Sequence, residues 1–250
     1  MLIAFDFGIT NTDVVINKDD NNKFFTFPTE AINEKFITHI LDSIKLDSSA
    51  ISKIAVTGGK SNDLKDSYKG IPITKINEVD AIGHGAIALY EIGDNPFVAI
   101  SAGTGTACVY HNEGNFNYLG GISLGGGTLQ GLTKHLINIK NPNDIEKLAK
   151  KGDRKKLDFL LGDVVHEIGS LYPEITASNF AKAKDYKNLS PNDVAASISN
   201  MVGEVIGTIS YLNAIICNEN KVYFLGRVSL NDVIMLFLLL MSKFPNLPGG

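Results

Sequence analysis

Apolar residues first gather in a short run over 2–7, LIAFDF, which Gly8 ends. The run resumes over 14–16, a polar turn of Asp19, Asp20, Asn21 and Asn22 follows, and 23–27 returns as a further arm. Short runs punctuated by glycine and by Asx residues predict a hairpin with a glycine turn. Over 31–46 the spacing changes. Ile32, Phe36, Ile40 and Ile44 recur every four residues, which predicts an amphipathic helix. Strands are then predicted over 54–56 and 73–76, the first entering the glycine loop Thr57-Gly58-Gly59, and a helix over 81–90. A second strand–glycine loop–strand unit opens at 97–100 with FVAISAGTGTACVY, its return arm over 106–110 and a third piece over 117–119.

Past this point the pattern is mostly helical. A glycine segment, GGISLGGGTLQGL, opens a helix over 128–136, and short helices are predicted over 144–151 and 154–161. Ser190-Pro191-Asn192-Asp193 combines a capping serine, a first-turn proline and an acid near the positive helix end, so a long helix is expected to about residue 218. A strand over 221–225 ends in Gly226, and a last helix is expected over 231–243. The repeated strand–glycine loop–strand unit predicts an α/β fold of two duplicated lobes with a cleft between them. Gly93-Asp94-Asn95-Pro96 sets the boundary, giving lobes over 1–95 and 96–250.

Composition narrows the function classes. The net charge of −4 excludes a general nucleic-acid binder, because phosphate-backbone binding needs a basic face. Cys108 and Cys217 form no CxxC pair or His/Cys cluster, so neither a zinc site nor a disulfide framework is expected. His84, His111, His135 and His166 share no ligand spacing. MLIAFDFG runs directly into a strand and carries no signal-peptide pattern. The longest apolar run, 233–241, has nine residues, whereas a membrane span needs about 20. A cytoplasmic protein with two reduced thiols and no membrane segment is expected.

Four segments could carry chemistry. In Asp6-Phe7-Gly8-Ile9-Thr10-Asn11-Thr12-Asp13 a carboxylate at a strand end precedes a glycine turn rich in hydroxyls. Gly8 allows close approach of a phosphate, Thr10, Asn11 and Thr12 offer donors, and Asp6 offers an oxygen ligand for Mg²⁺. The same segment also reads as an ordinary hairpin turn. Gly103-Thr104-Gly105-Thr106 repeats both readings in the second lobe. Gly125-Gly126-Gly127-Thr128-Leu129-Gln130-Gly131 sets bare N–H groups at a helix start, which suits an anion or the flat face of a nucleotide. It is neither a Walker A loop nor a GxGxxG fingerprint. Asn77-Glu78-Val79-Asp80 opens a helix with two acids, which favours the helix dipole and also offers a general base at Glu78.

Taken in order, these segments resemble the acetate and sugar kinase/Hsp70/actin superfamily, and within it the type II pantothenate kinases. DFGITNTD is similar to that family's first phosphate loop, TGG to its turn, NEVDA to its catalytic glutamate motif, GTGT to its second phosphate loop and GGISLGGGTLQGL to its glycine segment. KLAKKGDRKKLD, TASNFAKAK, VAASISNMVGEVIGTI and KVYFLGR resemble its later elements. The resemblance implies actin-like ATPase lobes around a nucleotide cleft and transfer of phosphate from ATP, with Mg²⁺, to the terminal hydroxyl of pantothenate, the first step of coenzyme A synthesis. It implies Glu78 as base and Asp6 at the metal. Gly8, Ile9, Thr10, Asn11, Thr12, Gly103, Thr104 and Gly105 are implied at the phosphates. Gly126, Gly127, Thr128, Leu129, Gln130, Gly226 and Arg227 are implied around the nucleoside, and Tyr118, Gly121 and Ser123 near the acceptor. A homodimer is implied, with the helix near 192–218 either at its interface or in the core.

The chain departs from the family at three places. The family's first loop reads GGT, two residues and a lysine, where this chain has Asp13. Its arginine before the glycine segment is matched by Tyr118, which has no charge and no fork. FPNLPGG ends the sequence short of the family's final strand and glycine–alanine helix. Two other readings stay open: a kinase of another small hydroxy or carboxylic acid, and a non-catalytic binder of nucleotide or acyl-CoA.

Overall fold

The computed structural model describes residues 1–19, 21–165, 173–185 and 188–235. The chain forms two compact units, Met1–Gly93 and Asp94–Gly250.

The first unit contains β1 (Leu2–Phe7), β2 (Asn11–Lys18), β3 (Asn21–Pro28), α1 (Glu34–Ser43), β4 (Lys53–Thr57), β5 (Ser67–Tyr68), β6 (Ile71–Lys75) and α2 (Glu78–Tyr90). Its sheet runs β3-β2-β1-β4-β6-β5. The first three strands form an antiparallel meander, while β4 and β6 run parallel to β1. Alternation places Ile3, Phe5, Phe7, Val14 and Ile16 on one face, where they bury against Phe36, Ile37, Ile40 and Leu41 of α1. Each such side chain contributes about 1.5–3 kcal/mol of burial. The helix is shorter than the apolar spacing suggested because Asn33 caps it, accepting from the N–H groups of Lys35 at 2.9 Å and Phe36 at 3.1 Å.

The second unit contains β7 (Phe97–Ala102), β8 (Thr106–Asn112), β9 (Asn115–Ile122), α3 (Gly126–Ile137), α4 (Pro142–Ala149), β10 (Phe159–Leu160), α5 (Leu161–Val164), β11 (Thr176–Ser178), α6 (Pro191–Ile216) and β12 (Val222–Leu225). Its main sheet runs β12-β7-β8-β9, again a meander with a parallel strand beside its first member. The two units therefore repeat one strand arrangement. Val98, Ile100, Ala102 and Cys108 pack against Ile145 of α4 and Val194, Ile198, Val202 and Ile206 of α6. Burial pushes the Cys108 thiol up to about 11, so it serves as a small apolar side chain.

Two local expectations are corrected. Residues 154–161 are not one helix: a 3-10 turn over Arg154–Lys156 leads into β10, which pairs with β11. Asp158 interrupts the helix. Its buried carboxylate accepts from Phe180 N–H at 2.9 Å and from the Ser197 hydroxyl, tying 158 to two distant segments. Burial holds that carboxyl above the usual range, against the lowering effect of these bonds. Ser190 occupies the cap position of α6 without a side-chain capping bond, so Pro191 carries the start signal. Asn231 does cap a final helix, accepting from Val233 and Ile234 N–H, both at 3.1 Å. The expected continuation to 243 lies outside the described residues beyond 235, as does His166.

Candidate functional site

In the first unit the parallel strands β1, β4 and β6 end at one sheet edge. This edge, beyond the carboxyl ends of the strands, is where open α/β sheets bind ligands. Asp6 lies next to the end of β1 and is exposed; Thr57 ends β4 directly beside it in register. Glu78 follows β6 by three residues as the first residue of α2 and is exposed. Asn77 caps that helix by accepting from Val79 N–H at 2.8 Å, which fixes the backbone that carries Glu78.

The first loop is a tight turn whose tip is Ile9, 80% exposed, with Thr10 exposed beside it. Thr29, which the sequence reading missed, pins it. The Thr29 N–H donates to Thr10 O at 3.0 Å and its hydroxyl donates to Gly8 O at 2.7 Å. The Thr29 proton being committed there, the 2.9 Å contact between Thr12 Oγ1 and Thr29 Oγ1 has Thr12 as donor. Thr12 is completely buried, so its hydroxyl faces the interior rather than the loop mouth. Behind the loop, Gly58 and Gly59 have φ of +74° and +40°, and a Cβ on Gly58 would lie 2.6 Å from Asp6 Oδ1. Glycine there leaves room for the Asp6 carboxylate.

In the second unit, β7 and β12 are parallel and also end together. Gly226, at φ +88°, lies so close to Ala102 that a Cβ would be 2.4 Å from the Ala102 carbonyl oxygen. The glycine triplet folds back onto the Gly103-Thr104-Gly105 turn. Gly126 N–H donates to Gly103 O at 2.8 Å and Gly127 N–H to Thr104 O at 2.9 Å. A Cβ on Gly125 would sit 2.8–2.9 Å from the carbonyl oxygens of Thr104, Gly103 and Gly105. The first N–H groups of α3, expected to be bare, thus hold the second loop in place. The triplet is glycine because two stretches of backbone touch.

Val228 joins this cluster, its Cγ2 3.1 Å from a Cβ built on Gly126. Thr128 donates to Ser123 O at 3.3 Å, Leu129 is core, and Gln130 is half-buried. Arg227 is exposed just after Gly226. On β9 a bulge sets Val109 opposite Tyr118 but Cys108 opposite Gly120. The extra residue, Leu119, breaks the alternation and re-aims the strand. Tyr118 is 59% exposed, with its hydroxyl 2.7 Å from where a Cβ on Gly121 would be. Ser123 is exposed. Among the described residues no group of three or more His, Cys, Asp or Glu could hold a metal, and no helix is long and apolar enough to cross a membrane.

The Fumble family matches residues 90–244. A type II pantothenate kinase of Bacillus cereus (strain AH820) is 35% identical over 240 residues, covering 92% of this chain and 84% of that one. The chain belongs to the type II pantothenate kinase family. A relative named pantothenate kinase 2, from Arabidopsis thaliana, is 30% identical over 207 residues, or 69% of this chain and 23% of that protein. As a fold, this family member resembles the activator of 2-hydroxyisocaproyl-CoA dehydratase from Clostridium difficile, solved with bound ADPNP. The TM-score is 0.67 at 15% identity, covering 97% of this chain and 85% of that one. A ROK family protein from Streptococcus pneumoniae, solved with sucrose, gives 0.57 at 10% identity, with 97% and 86% covered. The fold is that of the actin-like ATPases.

Proposed function

We propose that this chain is an ATP-dependent kinase that phosphorylates the terminal hydroxyl of pantothenate. The names of its relatives support the acceptor. The observation that carries the reaction type is Glu78, an exposed carboxylate on a capped helix start, at the same sheet edge as the Asp6–Gly8 turn. In this reading Gly8, Ile9, Thr10 and Asn11 meet phosphate, with Thr12 and Thr29 shaping the turn behind them. Within the second unit, Gly103, Thr104 and Gly105, held by Gly126 and Gly127, are candidate phosphate contacts. Thr128, Gln130, Gly226 and Arg227 border the nucleoside, with Leu129 as support, and Tyr118, Gly121 and Ser123 border the acceptor.

Glu78 takes the hydroxyl proton as that oxygen bonds to the γ-phosphorus and the bond to the ADP oxygen breaks. Positioned acid–base catalysis of this kind contributes about 10²–10⁴-fold. Asp6 suits Mg²⁺ as a hard oxygen ligand beside Thr57 Oγ1, an enclosed hydroxyl oxygen with no hydrogen-bond partner. Mg²⁺ bound there would offset charge on the transferring phosphoryl group. Pantothenate-dependent ADP release by the purified chain with Mg²⁺ is expected; ATP binding without such release removes pantothenate as acceptor.

A second reading rests on Tyr118. It supplies one hydroxyl where the family's arginine supplies a charged fork, and arginine stabilisation of phosphoryl transfer can be worth about 10³-fold or more. A different acceptor, or binding of nucleotide or acyl-CoA without turnover, accounts for that exchange. Tyr118→Arg raises pantothenate turnover if the site is a weakened pantothenate kinase, and leaves it unchanged under the second reading. We extend the proposal to a homodimer through α6, along which Val205, Leu212 and Ile216 are 37%, 46% and 77% exposed.

A further inference from the structure

The two glycine loops are braced in the same way: donors from beyond the return strand reach back to the carbonyl oxygens of the loop. In the second unit those donors are the N–H groups of Gly126 and Gly127, on Gly103 O and Thr104 O. In the first unit one residue does both. Pairing of β2 with β3 sets Pro28, the last residue of β3, opposite Asn11, and so brings Thr29 over the turn. Its N–H donates to Thr10 O at 3.0 Å and its hydroxyl to Gly8 O at 2.7 Å. A buried threonine stands near the head of each return strand. Thr12 donates to Thr29 Oγ1 at 2.9 Å, and Thr106 donates to Leu124 O at 2.8 Å.

The consequence lies in the peptide plane between Gly8 and Ile9. That bond is trans, so its C=O and N–H point in opposite directions. Holding Gly8 O toward Thr29 therefore turns the Ile9 N–H away from Thr29, and Ile9 is the exposed tip of the loop. The Gly8 N–H is spent on Asp6 O at 3.1 Å, and a Cβ on Gly8 would lie 2.6 Å from Asn11 O, so the turn is closed tightly. Loops hold anions through N–H groups, and a carbonyl oxygen turned toward the anion opposes binding. Without the Thr29 hydroxyl, Gly8 O loses its donor and the plane that carries the Ile9 N–H is free to turn.

We propose that Thr29 is a positioning residue of the nucleotide site: it fixes the Gly8–Ile9 peptide so that the Ile9 N–H meets a phosphate of the bound nucleotide. The proposal rests on the kinase reading for the nucleotide and adds a residue that lies outside every motif of the first loop. Thr29 itself touches no substrate. Thr12 acts one step further back, by holding the Thr29 hydroxyl.

The test is calorimetric titration of the full chain, with Mg²⁺, against a non-hydrolysable ATP analogue and separately against adenosine. Thr29→Val keeps the branched shape and removes the hydroxyl. It is expected to weaken the analogue about tenfold and to leave adenosine affinity unchanged, because only a phosphate contact is disturbed. Thr29→Ser keeps the hydroxyl and is expected to bind the analogue within about threefold of wild type, and Thr12→Val to weaken it about threefold. A role confined to folding moves the two ligands together. Equal analogue affinity in Thr29→Val, equal losses for analogue and adenosine, or no recovery in Thr29→Ser overturns the proposal. Should Thr29→Val fail to fold, the same comparison in Thr12→Val decides. A wild-type chain that binds no analogue removes the kinase reading as well, whereas analogue binding that survives Thr29→Val removes this proposal alone.

Discussion

At the residue scale, the chemistry rests on side chains whose surroundings differ more than their types. Asp6 and Glu78 are exposed carboxylates at one sheet edge, whereas Asp158 is a buried one that ties segments together. Glu78→Gln is expected to lower turnover by about 10²-fold or more while leaving ATP affinity nearly unchanged, because only the proton acceptor is lost. The helix-dipole contribution of that carboxylate is about 0.3–1 kcal/mol, so the melting temperature should move little. Steady-state kinetics with a nucleotide titration checks this, and undiminished turnover removes Glu78 from the mechanism. The placement of Glu78 at a capped helix start was legible in NEVDA. The part played by Thr29 was not, because its contact with Gly8 and Thr12 depends on the register of β2 against β3.

At the element scale, the segment from Gly125 to Gly131 contains glycines with opposite duties. Gly125 meets three backbone carbonyls, while nothing lies within 4 Å of a Cβ on Gly131. Gly125→Ala should therefore destabilise by about 2 kcal/mol, in the range of overpacked sites, and weaken nucleotide binding by displacing the Gly103–Gly105 turn. Gly131→Ala, on an exposed turn of α3, should stabilise by about 0.5–1 kcal/mol. Paired urea unfolding curves separate the two. Equal effects would mean that the triplet is not a packing joint. The glycine run announced a special backbone from sequence, but its purpose was misread: the expected anion-binding N–H groups face the neighbouring turn. The 154–161 helix failed for a similar reason, since apolar spacing carries no information about Asp158 reaching Phe180 and Ser197.

At the scale of the whole molecule, one strand arrangement occurs twice, each copy with its own core. Duplication by strand and glycine loop was readable from sequence because both loops follow a buried strand and precede an antiparallel return. The apolar positions along α6 bear on assembly. Sedimentation is expected to show two copies, and Leu212→Glu with Ile216→Glu to weaken the dimer about tenfold or more, since a charge in an apolar contact is left unpaired. A single-copy wild-type chain ends the dimer reading.

Alternation, glycine placement and motif order by themselves determined the strands around both loops, the family resemblance and the acids at the sheet edge. These signals act over a few residues, through backbone conformation and the period of burial. Only the tertiary structure decided that Gly126 and Gly127 hold the second loop, that Thr12 turns inward, and that Thr29 braces the first loop. Those outcomes depend on which strands pair and in what register, and register is set by the cores on which the sheets close rather than by any residue's own preference.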